Sequence, residues 1–138
     1  MTGIQGHEAR FAAAQPDEAE RPGRHLADSL QALDLAEELA QLRDEAMWHR
    51  AGRHARTLVK DADLRVVLIA LRAGNRMEEH HAPGRITIQA LVGRLALRVG
   101  ERTVALPAGH VLTLGPGIPH DVEAREESAF LLTIAWPT

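Results

Sequence analysis

The chain has 138 residues, of which 45% are hydrophobic and 25% charged, and its formal net charge is -3. A chain of this length forms one domain with a real core, because it buries roughly 68–70% of its unfolded surface. The acidic balance provides no basic surface for nucleic acid, and the absence of cysteine excludes disulfides and thiolate metal sites.

The sequence contains no targeting or membrane signal. Its first residues lack a positively charged region followed by an apolar run, which is the mark of a signal peptide. No apolar run approaches the ~20 residues needed to span a bilayer. We therefore expect a cytoplasmic protein without a membrane partner.

The N-terminal part divides into two segments. Residues 1–24 mix Gly, Ala, Gln, Pro and charge without periodicity, which predicts a flexible tail. Residues 25–60 are predicted to be a helical arm followed by a lead-in strand. Leu35, Leu39 and Leu42 recur at helical spacing, and Asp34 with Glu37 is typical of a capping box that starts a helix at Leu35.

From residue 61 to 138 the periodicity is that of strands. Short branched apolar runs alternate with turns rich in Gly and Pro. About eight strands in ~75 residues leave no room for crossover helices, so the sequence predicts an antiparallel sandwich or barrel. The clearest of these runs are residues 64–71, 86–92, 95–99, 103–106, 111–114 and 129–135.

Two patterns of glycine and histidine lie among these strands. They are Gly74, His80 and Gly93 in the first, and Gly109, Gly117 and His120 in the second. With these patterns, residues 64–136 resemble a single-domain cupin of the RmlC-like, cupin-2 type. The resemblance implies an all-β double-stranded β-helix, a jelly-roll barrel, which here follows the short helical arm.

The resemblance also implies a metal site, but the first pattern is degenerate. Metal-bearing cupins bring three histidines and a glutamate together, and Ala82 and Ile86 stand at two of those positions. The implied metal ligands are His80 and His120. Two imidazoles without a carboxylate hold a hard ion weakly and suit zinc, nickel or copper better.

A third ligand could come from His81 or from Gln89, the latter if a bulge near residues 83–84 shifted the strand by one residue. The candidate cofactor is then one divalent transition metal: Zn, Ni, Fe or Mn. Without that shift, strand alternation turns Ile86, Ile88, Ala90 and Val92 to one face, and Gln89 to the other.

Two functions fit these residues. The first is binding of a small organic ligand in the barrel lumen, with or without a metal, where His80 and His120 are the polar anchors and Ile86, Ile88 and Ala90 the apolar wall. The alternative is a metal-dependent small-molecule enzyme of the oxygenase or isomerase type. The missing glutamate favours the first function, and whether the protein is an enzyme stays open.

A homodimer is the expected assembly. The resemblance implies it, because small cupins are often dimers. The sequence adds a second reason: an arm of about 60 residues precedes a barrel that could close without it, and its apolar side chains could bury against a second subunit.

Overall fold

The computed structural model describes residues 26–136, which form an all-β jelly-roll barrel preceded by a short helical arm. The predicted fold class is confirmed. The predicted flexible tail, residues 1–24, lies outside the described residues. No helix within the described range is long and apolar enough to cross a membrane.

Within residues 26–136, two helices precede nine strands. Helix α1 spans Leu35–Asp44 and helix α2 spans Ala46–Ala51. The strands are β1 (Arg53–Lys60), β2 (Leu64–Leu71), β3 (Arg76–His80), β4 (Arg85–Val92), β5 (Arg94–Val99), β6 (Arg102–Pro107), β7 (Val111–Leu114), β8 (His120–Ala124) and β9 (Ser128–Ala135).

The strands form two antiparallel sheets that pack face to face. One has five strands in the order β1-β2-β9-β4-β7, and the other has four in the order β3-β8-β5-β6. Inward and outward side chains alternate along each strand, so each sheet presents an apolar face to the other. The enclosed core includes Ile69, Ile88, Leu95, Val122, Phe130 and Ile134, all nearly inaccessible to solvent.

Helix α1 begins where the sequence predicts. Asp34 is the N-cap, and its Oδ1 accepts a hydrogen bond of 3.2 Å from the backbone N–H of Glu37. Such a bond satisfies one of the donors that a helix leaves unpaired at its N-terminus. The earlier segment, residues 26–33, forms turns and extended chain but no helix.

The helices cover the outer face of the five-stranded sheet. Leu39, Leu42 and Trp48 are buried there against Leu58 and Leu68. This second apolar layer explains why β1 and β2 are buried on both faces, and why β2 is a nearly continuous apolar run.

A buried arginine fixes the arm to the barrel. Arg56 of β1 is only 2% exposed. Its guanidinium lies 3.2 Å from a carboxylate oxygen of Glu38 and 3.2 Å from one of Glu45, and it donates to Gln41 Oε1 at 3.0 Å. The same Glu45 oxygen lies 3.0 Å from His54 Nε2. Such a network fixes one orientation of the arm, because each buried charge needs its partners.

We predict that Arg56→Met destabilises the protein by about 3 kcal/mol, because it removes the buried guanidinium that contacts the carboxylates of Glu38 and Glu45. Urea unfolding followed by circular dichroism measures the loss. The control is Arg50→Met on the exposed side of α2, which should change stability by less than about 0.5 kcal/mol. An Arg56→Met variant as stable as the parent would contradict this role.

Candidate functional site

One extra residue in β3 determines which side chains enter the barrel. Met77 lies opposite Val122, and His80 lies opposite His120, so three steps along β3 match two along β8. Met77 and Val122 are both core residues. With plain alternation Glu79 would turn inward after Met77, and His80 outward. The bulge reverses this and turns His80 inward.

The two histidines therefore meet inside the barrel. Their ring centroids are 4.4 Å apart and the planes are tilted by 56°. His80 is 6% exposed and His120 1%. His80 and His120 lie on neighbouring strands. They meet at the end of the barrel where β3 ends and β8 begins.

Each ring is held in the same way through its Nδ1 atom. His80 Nδ1 lies 2.8 Å from the carbonyl oxygen of Glu78, and His120 Nδ1 lies 3.0 Å from that of Ile118. A carbonyl oxygen only accepts hydrogen bonds, so Nδ1 must carry the proton in both rings. In the neutral ring Nε2 is then the acceptor, which is the tautomer that can bind a metal or a hydrogen-bond donor.

Burial keeps the His120 ring neutral. Desolvation lowers the pKa of His120 below its ordinary value of 6.5, against the opposing effects of the Ile118 carbonyl and the negative charge of Asp121. Asp121 itself turns to the outer face of β8, where its carboxylate lies 3.1 Å from the Arg76 guanidinium. It therefore acts on the ring only through its charge.

The predicted apolar wall is present on the inner face of β4. Ile86, Ile88 and Ala90 are at most 2% exposed and belong to the core that the two sheets enclose. The expected inward position of Val92 is wrong: a bulge between Ala90 and Val92 interrupts the alternation, and Val92 is 41% exposed.

The other suggested ligands do not join the histidine pair. Gln89 is exposed, because it lies on the outer face of β4, and the strand is regular from Arg85 to Ala90 without a shift near residues 83–84. His81 is half-buried in the loop after β3. Among residues 26–136, no group of three or more His, Asp or Glu side chains is placed to hold a metal ion.

Two loops close this end of the barrel. The Gly117 N–H donates to the Ala82 carbonyl at 2.9 Å and joins the loop before β8 to the loop after β3. Gly84 packs so closely on the backbone of Ala135 that a Cβ at position 84 would overlap the carbonyl oxygen of that residue. These two contacts fix the chain directly after His80.

A cleft of about 280 Å³ opens between the edge strands β6 and β7. No single segment of the sequence indicates this cleft, because its wall combines strands from both sheets. Once the pairing of β5, β6 and β7 is known, the alternation of their side chains indicates which residues face inward and line the cleft. Its lining residues are Val99, Arg102, Val104, Leu112, Thr113 and Leu114.

Comparison with known families gives one match over the barrel. The model of the AraC-like ligand binding domain family matches residues 64–135, just over half of the chain. No curated protein matches the sequence.

Solved structures of low sequence identity share the fold. A cupin superfamily protein from Desulfitobacterium hafniense has 15% identity and a TM-score of 0.67, with 83% of this chain and 98% of that chain covered. An RmlC-like cupin from Desulfovibrio desulfuricans has 21% identity and a TM-score of 0.64, with coverages of 77% and 96%. Salicylate 1,2-dioxygenase from Pseudoaminobacter salicylatoxidans has 17% identity and a TM-score of 0.72, with coverages of 83% and 38%. The cupin fold expected from the sequence is confirmed.

We predict that His120 makes the folded state less stable in mild acid. Its lowered pKa means that the unfolded chain takes up a proton first as the pH falls through 6.5, and this proton uptake favours unfolding. The effect cannot exceed about 1.4 kcal/mol per pH unit, the contribution of one proton.

Urea unfolding between neutral pH and mild acid, in the presence of EDTA, measures this effect. The wild-type protein should lose more stability on acidification than His120→Gln. His110→Gln, at an exposed histidine, is the control and should follow the wild type. Equal pH profiles of the wild type and His120→Gln would contradict the assignment.

Proposed function

The chain belongs to the AraC-like ligand binding domain family, and from that premise we propose that it binds a small organic ligand inside the barrel, with the histidine pair as polar anchor. One observation carries the proposal: two buried imidazoles, both oriented by backbone carbonyls, stand at the end of an otherwise apolar core. Ligand sites typically combine an apolar wall with a few fixed polar groups.

The histidines determine which ligand group would bind. With Nδ1 bonded to a carbonyl, the neutral His120 ring offers Nε2 as an acceptor, so it selects a hydroxyl, amide or other donor. His80 packs on His120 and fixes its orientation. A buried acceptor discriminates strongly against a ligand that lacks the donor, because the acceptor then stays unsatisfied.

The aliphatic wall determines what kind of apolar group the ligand carries. Ile86, Ile88 and Ala90 supply branched and small side chains and no aromatic face. Such a surface gains free energy from apolar area but offers no stacking partner. The proposal is therefore a compact aliphatic ligand with at least one hydrogen-bond donor.

The alternative function is a metal-dependent small-molecule enzyme. One observation favours it: Nδ1-anchored histidines are the usual form of metal-binding imidazoles. The donor set does not fit a resident hard ion, however, because within residues 26–136 no carboxylate joins the two rings in a group that could hold a metal ion, and Gln89 faces outward. We therefore propose ligand binding as the primary function and assign no step to a metal.

We predict that ligands identified in a binding screen depend on His120 for their affinity. A library of small aliphatic alcohols, polyols and amides is screened by ligand-observed NMR, and hits are titrated by calorimetry. Loss of the acceptor in His120→Phe, which keeps a planar ring, should weaken binding about tenfold, the effect of roughly one hydrogen bond. His110→Phe, at an exposed histidine, should bind as the wild type does. A hit that binds His120→Phe unchanged, or a library without hits, would contradict the proposal.

Elemental analysis of protein purified without a polyhistidine tag separates the two functions. We expect metal well below one equivalent per chain, because two imidazoles alone hold an ion weakly. Calorimetry with added zinc and nickel, on the wild type and on a His80→Ala, His120→Ala double variant, is the control. Stoichiometric metal that the double variant lacks would favour the enzyme instead.

We also propose a homodimer that uses the outer face of the five-stranded sheet. Val92 and Val111 are 41% and 62% exposed there. A groove of about 300 Å³ beside them, between α1 and β4, is lined mainly by apolar side chains, among them Leu35 and Leu91. Light scattering should give about twice 15.1 kDa, and Val111→Asp should reduce it. A wild-type monomer would contradict the proposal.

A further inference from the structure

A row of inner-face residues crosses the four-stranded sheet at the level of the histidine pair. His80 lies opposite His120, and Val99 lies opposite Arg102. The register between β5 and β8, continued by one residue, brings Val99 opposite His120. The row therefore runs through the two histidines and the valine and ends at an arginine on the edge strand β6.

This arginine lines the cleft between the two sheets. The cleft of about 280 Å³ has aliphatic walls from Val99 and Val104 on one side and Leu112 and Leu114 on the other, and Arg102 is the charged residue in its lining. The cleft lies between the edge strands of the two sheets, and Val99 of its lining is the neighbour of His120 in the row described above.

The charge of Arg102 is available to a ligand. Within residues 26–136, Arg102 takes part in none of the ion pairs, whereas Arg76 and Arg98 on the same sheet both lie near Asp121, at 3.1 and 3.9 Å. A guanidinium is a planar fork of donors that matches a carboxylate in two parallel hydrogen bonds. Beside aliphatic walls its contact is screened less than one in open water.

We infer that the ligand is an aliphatic hydroxy acid, with its carboxylate on Arg102, its hydrocarbon chain in the cleft and its hydroxyl donating to Nε2 of His120. This inference rests on the proposed function and adds the acidic group to it. The two anchors lie two strand spacings apart, about 10 Å between strands β6 and β8. Allowing for the reach of both side chains, hydroxy acids of about four to eight carbons fit.

The test compares acids with their neutral isosteres. The probes are hydroxybutanoate, hydroxyhexanoate and hydroxyoctanoate, each with the hydroxyl on the terminal carbon, and the corresponding primary amides. Calorimetry and ligand-observed NMR measure binding to the wild type, Arg102→Gln, Arg102→Lys, Arg98→Gln and His120→Phe. Arg98 is the matched control, because it lies on the same sheet but faces outward.

We expect the wild type and Arg98→Gln to bind at least one acid about tenfold tighter than its amide, since a charge-assisted pair is roughly twice as strong as a neutral one. Arg102→Gln should lose this preference, and Arg102→Lys should keep part of it. His120→Phe, which removes the ring acceptor, should weaken acid and amide alike.

Other outcomes overturn the inference in distinguishable ways. Equal binding of acid and amide by the wild type, or a preference that survives in Arg102→Gln, overturns the acidic ligand. If the His120 variant still binds these probes more weakly than the wild type does, the proposed function stands. If no probe binds, the inference is wrong, and the library screen decides separately whether other ligands bind.

Discussion

Two imidazoles buried side by side need hydrogen-bond partners, which the surrounding chain must supply. A buried ring nitrogen without a hydrogen bond costs about 1–3 kcal/mol, and the chain satisfies Nδ1 of both rings with carbonyls two residues earlier, at Glu78 and Ile118. The bulge in β3 makes this pairing possible, because it turns His80 toward His120 and leaves Glu78 and Glu79 exposed to solvent. The polarity of the lumen therefore depends on one extra residue.

The rest of the molecule keeps this pair in a fixed place. The two loops joined by Gly117 and Ala82 close the end where the rings lie. On the opposite side of the five-stranded sheet, the arm packs through an apolar layer and the Arg56 network, so β1 and β2 are buried on both faces. A sheet supported on both faces is rigid, and a rigid sheet can hold polar anchors at a defined distance from an apolar wall.

Local chemistry made much of the fold predictable. The start of α1 follows from one acidic residue and its spacing to Glu37, and the strands follow from branched apolar runs between turns. The inward faces of Ile86, Ile88 and Ala90 follow from alternation. These features depend on residues that are close together in the sequence, so a sequence pattern can predict them.

Features that depend on strand pairing were not predictable in the same way. Alternation alone misplaces Val92, because a bulge in β4 intervenes, and it would turn His80 outward for the same reason. Arg56 reads as a solvent-exposed strand residue until the helices that cover it are known. The cleft at Arg102 is formed by the edges of two sheets, so no single segment of the sequence can predict it.

The tautomers of the two histidines decide whether the rings are held by the backbone carbonyls in the form that offers Nε2 to a ligand. Long-range correlation of imidazole protons with nitrogen-15, at neutral pH, reports which ring nitrogen carries the proton, and the signals are assigned with His80→Gln and His120→Gln. We predict that both rings are protonated at Nδ1, with Nε2 as the acceptor. Protonation at Nε2, or averaging between the two tautomers, would contradict this prediction.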